Sequence, residues 1–281
     1  MEITNQNKIA LITGGSSGIG LAIAEKLASQ GAHVWILGRS PDRLASAMAR
    51  LEAKRYSANQ TLCSLAADVS DLQQVNHAVA EVEARSGTLD LLVNSAGIAY
   101  PGYFETLDPK VFRDTIEINY LGTVYATKAV IPGMMRRGSG HIVNISSMAG
   151  LIGVYGYTAY GGSKYAVRGF SDVLRAEMKP YGVRVSIAFP PDTDTPQLAF
   201  ENQIKPPETR AIAGSASIMQ PEVVAEAILK GVRRNQYMII PNLEGKLIYH
   251  AGNLLGNLIY PVMDLLVAQA RQNQKNGRHS A

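Results

Sequence analysis

The stretch Lys8-Ile9-Ala10-Leu11-Ile12-Thr13-Gly14-Gly15-Ser16-Ser17-Gly18-Ile19-Gly20-Leu21-Ala22-Ile23-Ala24 decides how the chain reads. A short apolar run passes through spaced glycines into a helical pattern, the signature of a strand, a tight loop and a helix. The spacing Gly14-x-x-x-Gly18-x-Gly20 differs from the common G-x-G-x-x-G fingerprint, yet the physics is shared. Glycines allow positive φ and a close approach of backbone to a pyrophosphate, and the following helix offers free N–H groups to an anion. The loop by itself leaves two readings open, a chain reversal and an anion cradle.

Working outward, apolar runs at 9–13, 34–37, 62–66, 89–93, 141–145, 183–189 and 238–240 alternate with helical patterns near 18–30, 41–55, 71–86, 109–136, 160–180 and 221–234. Most of the runs are apolar throughout, as in strands buried on both faces. The expected fold is α/β, a doubly wound, Rossmann-like parallel sheet of about seven strands with helices on both faces. One domain over 1–245 is expected, with a Pro- and Asp-rich substrate loop at 190–220 and an amphipathic extension at 246–281.

Composition narrows the function classes. The chain has 281 residues, 46% hydrophobic and 18% charged, enough for one large core burying roughly 70–75% of its extended-chain surface. One cysteine, Cys63, excludes an internal disulfide and suits a reducing cytoplasmic setting. The net charge of +4 is spread along the chain without interleaved aromatics, so no nucleic-acid partner is expected. The residues before the first strand lack the basic start and apolar stretch of a secretory signal.

After the second strand comes Leu37-Gly38-Arg39-Ser40, with no carboxylate for a ribose 2′-hydroxyl. Arg39 stands there instead, and a guanidinium matches a 2′-phosphate bidentately, which favours NADPH over NADH. Asp68 and Asn94-Ser95-Ala96-Gly97 follow the third and fourth strands, at ends where such sheets bind ligands. Turn chemistry remains open for both. Ser146-Ser147 follows the fifth strand, and Tyr160-Gly161-Gly162-Ser163-Lys164 begins a long helical pattern. One turn apart, Tyr160 and Lys164 share a face, where an ammonium would favour the phenolate and lower the phenol pKa, making it a general acid toward a carbonyl held by Ser147.

In that order, the glycine loop, Asn94-Ser-Ala-Gly97, Asn119, Ser147, Tyr160 and Lys164 resemble the short-chain dehydrogenase/reductase family over roughly residues 8–240. The resemblance implies Tyr160 as general acid/base, Lys164 binding the nicotinamide ribose, Ser147 polarising the carbonyl and Asn119 holding a proton-relay water. It also implies cofactor contacts from Gly14, Ser16, Ser17, Gly18, Ile19, Gly20, Arg39, Asp68, Val69, Asn94, Ala96, Gly97, Tyr160, Lys164, Pro190, Thr193 and Thr195. Homodimers or homotetramers through 109–136 and 160–180 are implied as well. Pro191 departs from the family's usual Pro-Gly after the sixth strand and stiffens the backbone there.

The stretch 189–209, together with Ile118-Asn-Tyr-Leu-Gly-Thr-Val-Tyr125 and Lys179-Pro-Tyr181, resembles the branch of that family which reduces 3-ketosphingoid bases, long-chain 2-amino-1-hydroxy-3-ketones. Unlike eukaryotic members of that branch, the chain shows no membrane-spanning pattern before the glycine loop. The substrate would be cationic at C2, and Asp192, Asp194 and Glu201 are candidates to pair with its ammonium. A broader lipophilic-ketone or 3-oxoacyl reductase is an alternative within the family, and an NADPH-sensing scaffold one outside it.

The stretch 247–268 is near a bilayer span in length but carries His250, Asn253, Asn257, Pro261 and Asp264. It reads as one amphipathic helix kinked near Pro261, either packed on protein or lying through 246–270 in a membrane interface beside Arg271, Lys275 and Arg278. The expected location is cytoplasmic, with peripheral contact to a membrane's cytoplasmic face under the second reading.

Overall fold

A computed structural model describes residues 6–213 and 217–278; residues 1–5, part of the stretch examined for a secretory signal, lie outside them. In chain order the elements are β1 (Ile9–Thr13), α1 (Gly18–Ser29), β2 (His33–Gly38), α2 (Pro41–Glu52), β3 (Leu62–Ala66), α3 (Leu72–Ser86) and β4 (Leu91–Asn94). There follow α4 (Pro109–Thr115), α5 (Gly122–Arg137), β5 (Gly140–Ile145), α6 (Thr158–Met178), β6 (Val183–Ala188), α7 (Pro196–Ile204) and α8 (Pro207–Ala213). The chain ends with α9 (Pro221–Arg233), β7 (Met238–Ile239), α10 (Leu243–Leu255) and α11 (Ile259–Arg278). All strand pairs among the described residues are parallel, in the order β3-β2-β1-β4-β5-β6-β7.

The sheet is buried on both faces, which is why its strands read as unbroken apolar runs. Ile12, Ile36, Val93 and Val143 pack against Ile23 and Leu27 of α1, Leu44 and Leu51 of α2, and Val224 and Ile228 of α9. On the other face Leu11, Trp35, Leu92 and Ile142 meet Val75, Val79 and Val82 of α3, Val130 and Met134 of α5, and Leu174 of α6. Each such side chain, fully buried, contributes about 1.5–3 kcal/mol. The order reverses between β1 and β4, so the loops after those strands diverge and leave a crevice at their carboxyl ends. Cys63, on edge strand β3, is half-buried.

Three segments differ from the sequence expectation. The single helix expected at 109–136 is α4 and α5 joined by a π-helical turn, Ile116–Leu121. The 190–220 loop contains α7 and α8, each opening on a proline, where the missing N–H costs nothing. The carboxy-terminal helix bends near Pro261 as expected, but it is two helices and not one, divided by a 3-10 turn at Gly256–Leu258. Gly256 adopts φ +53, and the helices on either side meet at a bend of 102°. Pro261 sits in the first turn of α11, where proline is tolerated.

Among the described residues no single helix is long and apolar enough to cross a membrane, although the bent α10–α11 pair passes that test of length and composition together. The helix α11 is pinned by Arg271, which reaches Glu208 at 3.4 Å and the Tyr155 hydroxyl at 2.8 Å. Tyr103 donates to the same Glu208 carboxylate at 2.8 Å.

A buried histidine gives the sheet a pH signature. His141 of β5 lies 2.8 Å from Ser186 Oγ, and the Ser186 hydroxyl donates to the Gln236 carbonyl, so the ring N–H points at Ser186. Burial, with Arg184 nearby, lowers the His141 pKa to about 4. The unfolded ring, near 6.5, therefore takes up a proton that the folded ring refuses, and stability is full above that value and declines as pH falls toward 4. The expected loss is up to about 3 kcal/mol, and His141→Gln should flatten this part of a urea-denaturation pH series.

Candidate active site

The carboxyl ends of the strands open into one cavity of about 860 Å³ that runs from the glycine loop, past Ser147 and Tyr160, to α10 and α11. At its first end Gly14 and Gly18 have φ +66 and +53. A Cβ on Gly14 would lie 2.7 Å from the backbone of Ala96, and one on Gly20 would lie 2.5 Å from the Gly14 carbonyl. Thr13 Oγ1 accepts from the N–H groups of Ser95 and Ala96, both at 3.2 Å, and so fastens the loop after β1 to the loop after β4. Ser17, the N-cap of α1, makes no side-chain capping bond, which leaves the first N–H groups of that helix for another acceptor. An uncapped helix start under a side-chain-free loop fits the pyrophosphate of a dinucleotide.

Of the expected cofactor residues, Gly14, Ser16, Ser17, Gly18, Ile19, Arg39, Val69, Ala96, Gly97, Tyr160, Lys164, Pro190, Thr193 and Thr195 line this cavity. Three expected contacts do not. Gly20 lies behind the loop, where its lack of a side chain admits the Gly14 carbonyl. Asp68 turns to Arg39 at 3.7 Å and accepts from the Ser70 backbone and hydroxyl. Asn94 is buried under the floor, donating to Thr127 at 3.1 Å and Asn144 at 2.9 Å, and so ties β4 to α5 and β5. Sequence reasoning missed Arg43, which lines the cavity beside Arg39 and Ser40. One turn into α2, it was readable as a second guanidinium on the same rim.

The serine, phenol and amine expected to carry the chemistry meet where β5 ends. Lys164, buried on α6, donates to the Ile145 carbonyl at 2.9 Å, and burial lowers its pKa to about 8. Its nitrogen stands 5.5 Å from the centre of the Tyr160 ring. The Tyr160 phenol itself is pushed up, first by burial and next by the charge of Glu201, against a hydrogen bond from Ser147 that lowers it. The direction is opposite to the expected depressed phenol, because desolvation and the nearby carboxylate charge outweigh the hydrogen bond from Ser147. The proton accordingly rests on the phenol at neutral pH.

Asn119 is not part of the cavity wall. The π-helical turn carries it inward, where its amide donates to Ile98 O and Ser163 Oγ, both at 2.9 Å, and accepts from Ile98 N at 2.8 Å. A Cβ on Gly97 would sit 3.3 Å from Asn119 Oδ1 and 3.5 Å from Lys164 Nζ, so glycine there lets both polar groups reach one spot. Single-turn π segments recur at functional sites, and no periodicity in the sequence announces one.

The loop after β6 supplies the other wall. Asp192 and Glu201 line the cavity, whereas Asp194 does not; its N–H is held by Met219 O at 2.9 Å. Thr195 caps α7 by accepting from Leu198 N at 3.2 Å. Glu201 accepts from the hydroxyl of Tyr157, whose ring lies 5.6 Å from that of Tyr160. Beyond these, Met148, Ile152, Val154, Leu198, Ile248 and Leu255 make an apolar channel. Neither Tyr157 nor this channel was marked by any motif.

The sequence profile of the family described as short chain dehydrogenase matches residues 8–205. A 3-ketodihydrosphingosine reductase of Bos taurus is 44% identical over 221 residues, covering 78% of this chain and 67% of the relative. The 3-ketodihydrosphingosine reductase of Dictyostelium discoideum is 36% identical over 277 residues, covering 94% of this chain and 83% of the relative. Among solved structures, a levodione reductase superposes with a TM-score of 0.76 at 26% identity, covering 84% of this chain and 96% of that one.

Gly14→Ala is the direct test of the cradle. The added methyl meets backbone 2.7 Å away at a left-handed φ, so the expected cost is about 1–3 kcal/mol of stability. Calorimetric affinity for the nicotinamide dinucleotide should fall at least about tenfold, since the loop must shift where the pyrophosphate would lie. Unchanged affinity would mean that the loop only turns the chain.

Proposed function

Since the chain belongs to the short-chain dehydrogenase family, an oxidoreductase family that works with a nicotinamide cofactor, we propose that it reduces the C3 ketone of a 3-ketosphingoid base to the alcohol with NADPH. The observation that carries this reading is the single cavity joining the glycine cradle, Ser147 and Tyr160, and an apolar channel suited to an alkyl chain. The names of the 36–44% identical relatives support the substrate. Arg39 and Arg43 at the β2 rim, with no carboxylate closing that strand, support a 2′-phosphate and hence NADPH.

When bound, the dinucleotide supplies the hydride that reduces the carbonyl carbon. Ser147 donates a hydrogen bond to the carbonyl oxygen and orients it, and Tyr160 gives that oxygen its phenolic proton. The phenolate left behind is stabilised by the ammonium of Lys164, whose charge fades above about pH 8. Asn119, braced by Ile98 and Ser163, holds the turn from which a water reprotonates Tyr160 through Lys164.

The helix α10 is apolar on two sides. Ile248 and Leu255 face the cavity, while Leu243, Leu247 and Leu254 are 71%, 63% and 88% exposed. With Leu258 and Leu265 also exposed, this surface is the one that rests on the cytoplasmic face of a membrane and draws a lipid-soluble ketone into the channel. The side chains of Lys275 and Arg278 lie outside those described. Dimers or tetramers form through α5 and α6, the latter bearing exposed Tyr165 and Val173.

The decisive experiment compares kcat/KM for 3-ketosphinganine, a 3-oxoacyl thioester and a simple aliphatic ketone, each with NADPH and NADH. The amino ketone with NADPH should lead by at least about tenfold, and Tyr160→Phe should lose about 100-fold or more. Comparable values for all three would leave a general lipophilic-ketone reductase. For the membrane surface, Leu254→Asp with Leu258→Asp should abolish co-sedimentation with anionic vesicles without altering turnover of a water-soluble ketone.

A further inference from the structure

Beside the reacting phenol lies a charge cluster that ketone reduction does not use. Lys205, at the end of α7, has a side chain only 2% exposed and stands between two carboxylates, 3.3 Å from Asp192 Oδ2 and 4.0 Å from Glu201 Oε2. Glu201 is also buried; Tyr157 donates to one of its oxygens and Gln197 to the other at 3.0 Å. Both carboxylates face the cavity that Ser147 and Tyr160 share. One ammonium faces two carboxyl groups in a wall otherwise largely apolar, and burial pushes the Glu201 carboxyl above the usual carboxylate range, so the cluster holds more acid than cation. An uncompensated charge is costly to bury and is retained where something neutralises it.

Resting on the substrate class proposed above, we propose that the Asp192–Lys205–Glu201 cluster is the subsite for the C2 ammonium of the amino ketone. Lys205 holds both carboxylates in place. The second oxygen of Asp192 takes no hydrogen bond among the described residues, and its side chain lines the cavity and is 37% exposed. An ammonium that settles between Asp192 and Glu201 brings the neutral total to four charges in two pairs. Glu201 is linked to the neighbourhood of Tyr160 through Tyr157, whose hydroxyl it accepts from and whose ring centre lies 5.6 Å from that of Tyr160.

Placement there has a second effect. The charge of Glu201 opposes formation of the Tyr160 phenolate. Pairing Glu201 with the incoming ammonium relieves that opposition when the carbonyl is in place, so the amino group contributes to kcat as well as to binding. A neutral ketone leaves the opposition standing. The cluster is thus a specificity device in which recognition of the amine eases proton transfer to the oxygen.

The test uses a short-chain, water-soluble 2-amino-1-hydroxy-3-ketone and its desamino counterpart. For Asp192→Asn and Glu201→Gln separately, the ratio of kcat/KM for the amino ketone to that for the desamino ketone should drop about 10- to 100-fold, the range of a charged hydrogen bond. In the double variant Lys205 stands alone, and the preference should invert in favour of the neutral ketone. Calorimetric binding of the amino-alcohol product should weaken in parallel. Ratios and product affinities within about twofold of wild type in Asp192→Asn overturn the subsite, even if Glu201→Gln is too unstable to assay, and leave the substrate reading intact. Equal turnover of both ketones by the wild type overturns the substrate reading and the subsite together.

Discussion

The ammonium of Lys164 hydrogen-bonded to the carbonyl of Ile145 is the contact to which the rest of the site is referenced. A buried ammonium without a partner would cost several kcal/mol, so the side chain has one acceptable end point, the last residue of β5. The main chain is tied at the same place, since Ser146 Oγ donates to the Lys164 carbonyl at 3.1 Å. Ser147 is the next residue along the chain and Tyr160 lies one turn earlier on α6. Strand end, serine, phenol and amine are therefore measured from a single point, and relative motion between α6 and the sheet would break these side-chain-to-carbonyl hydrogen bonds.

Burial that fixes this geometry also sets its electrostatics. Desolvation raises the phenol and lowers the amine, so each is held in its neutral form more strongly than in water. A protonated phenol is what a reductase needs at rest, whereas a charged amine is what it needs at the moment of transfer. The lysine meets both demands only because its pKa, about 8, stays above neutrality. Glu201 adds to the effect of burial on the phenol, since its charge raises the Tyr160 pKa further.

The sheet was legible because parallel strands covered on both faces are apolar at every position. Strands β1 and β3 matched residue for residue, and the others differed by a residue or two at their ends, where pairing rather than burial fixes the boundary. The lining role of most glycine-loop residues, Ser147, Tyr160 and Lys164 followed from strand ends and helical spacing. Local pattern could not separate Asn94 and Asp68 from true lining residues, since an amide or carboxylate just past a strand serves equally in a turn. The direction of the Tyr160 shift was also out of reach, because desolvation depends on what packs over the ring. Prolines at 196 and 207 were read as loop formers though they open helices, and the stretch around Pro261 as one kinked helix though a 3-10 turn from Gly256 divides it in two.

These misreadings share a cause. Residues before about 190 build a scaffold whose elements obey one periodicity each, while α7, α8, α10 and α11 are short or doubly apolar and take their positions from contacts with one another. The Arg271–Glu208–Tyr103 and Tyr155 contacts hold α11 to α8, and Lys205 holds α7 to the loop after β6. Side chains facing a cavity on one side and the exterior on the other lose the contrast that makes a helix readable. The part of the chain that walls the far end of the cavity is therefore the part whose sequence pattern is faintest, and it is held by a few ion pairs rather than by the core.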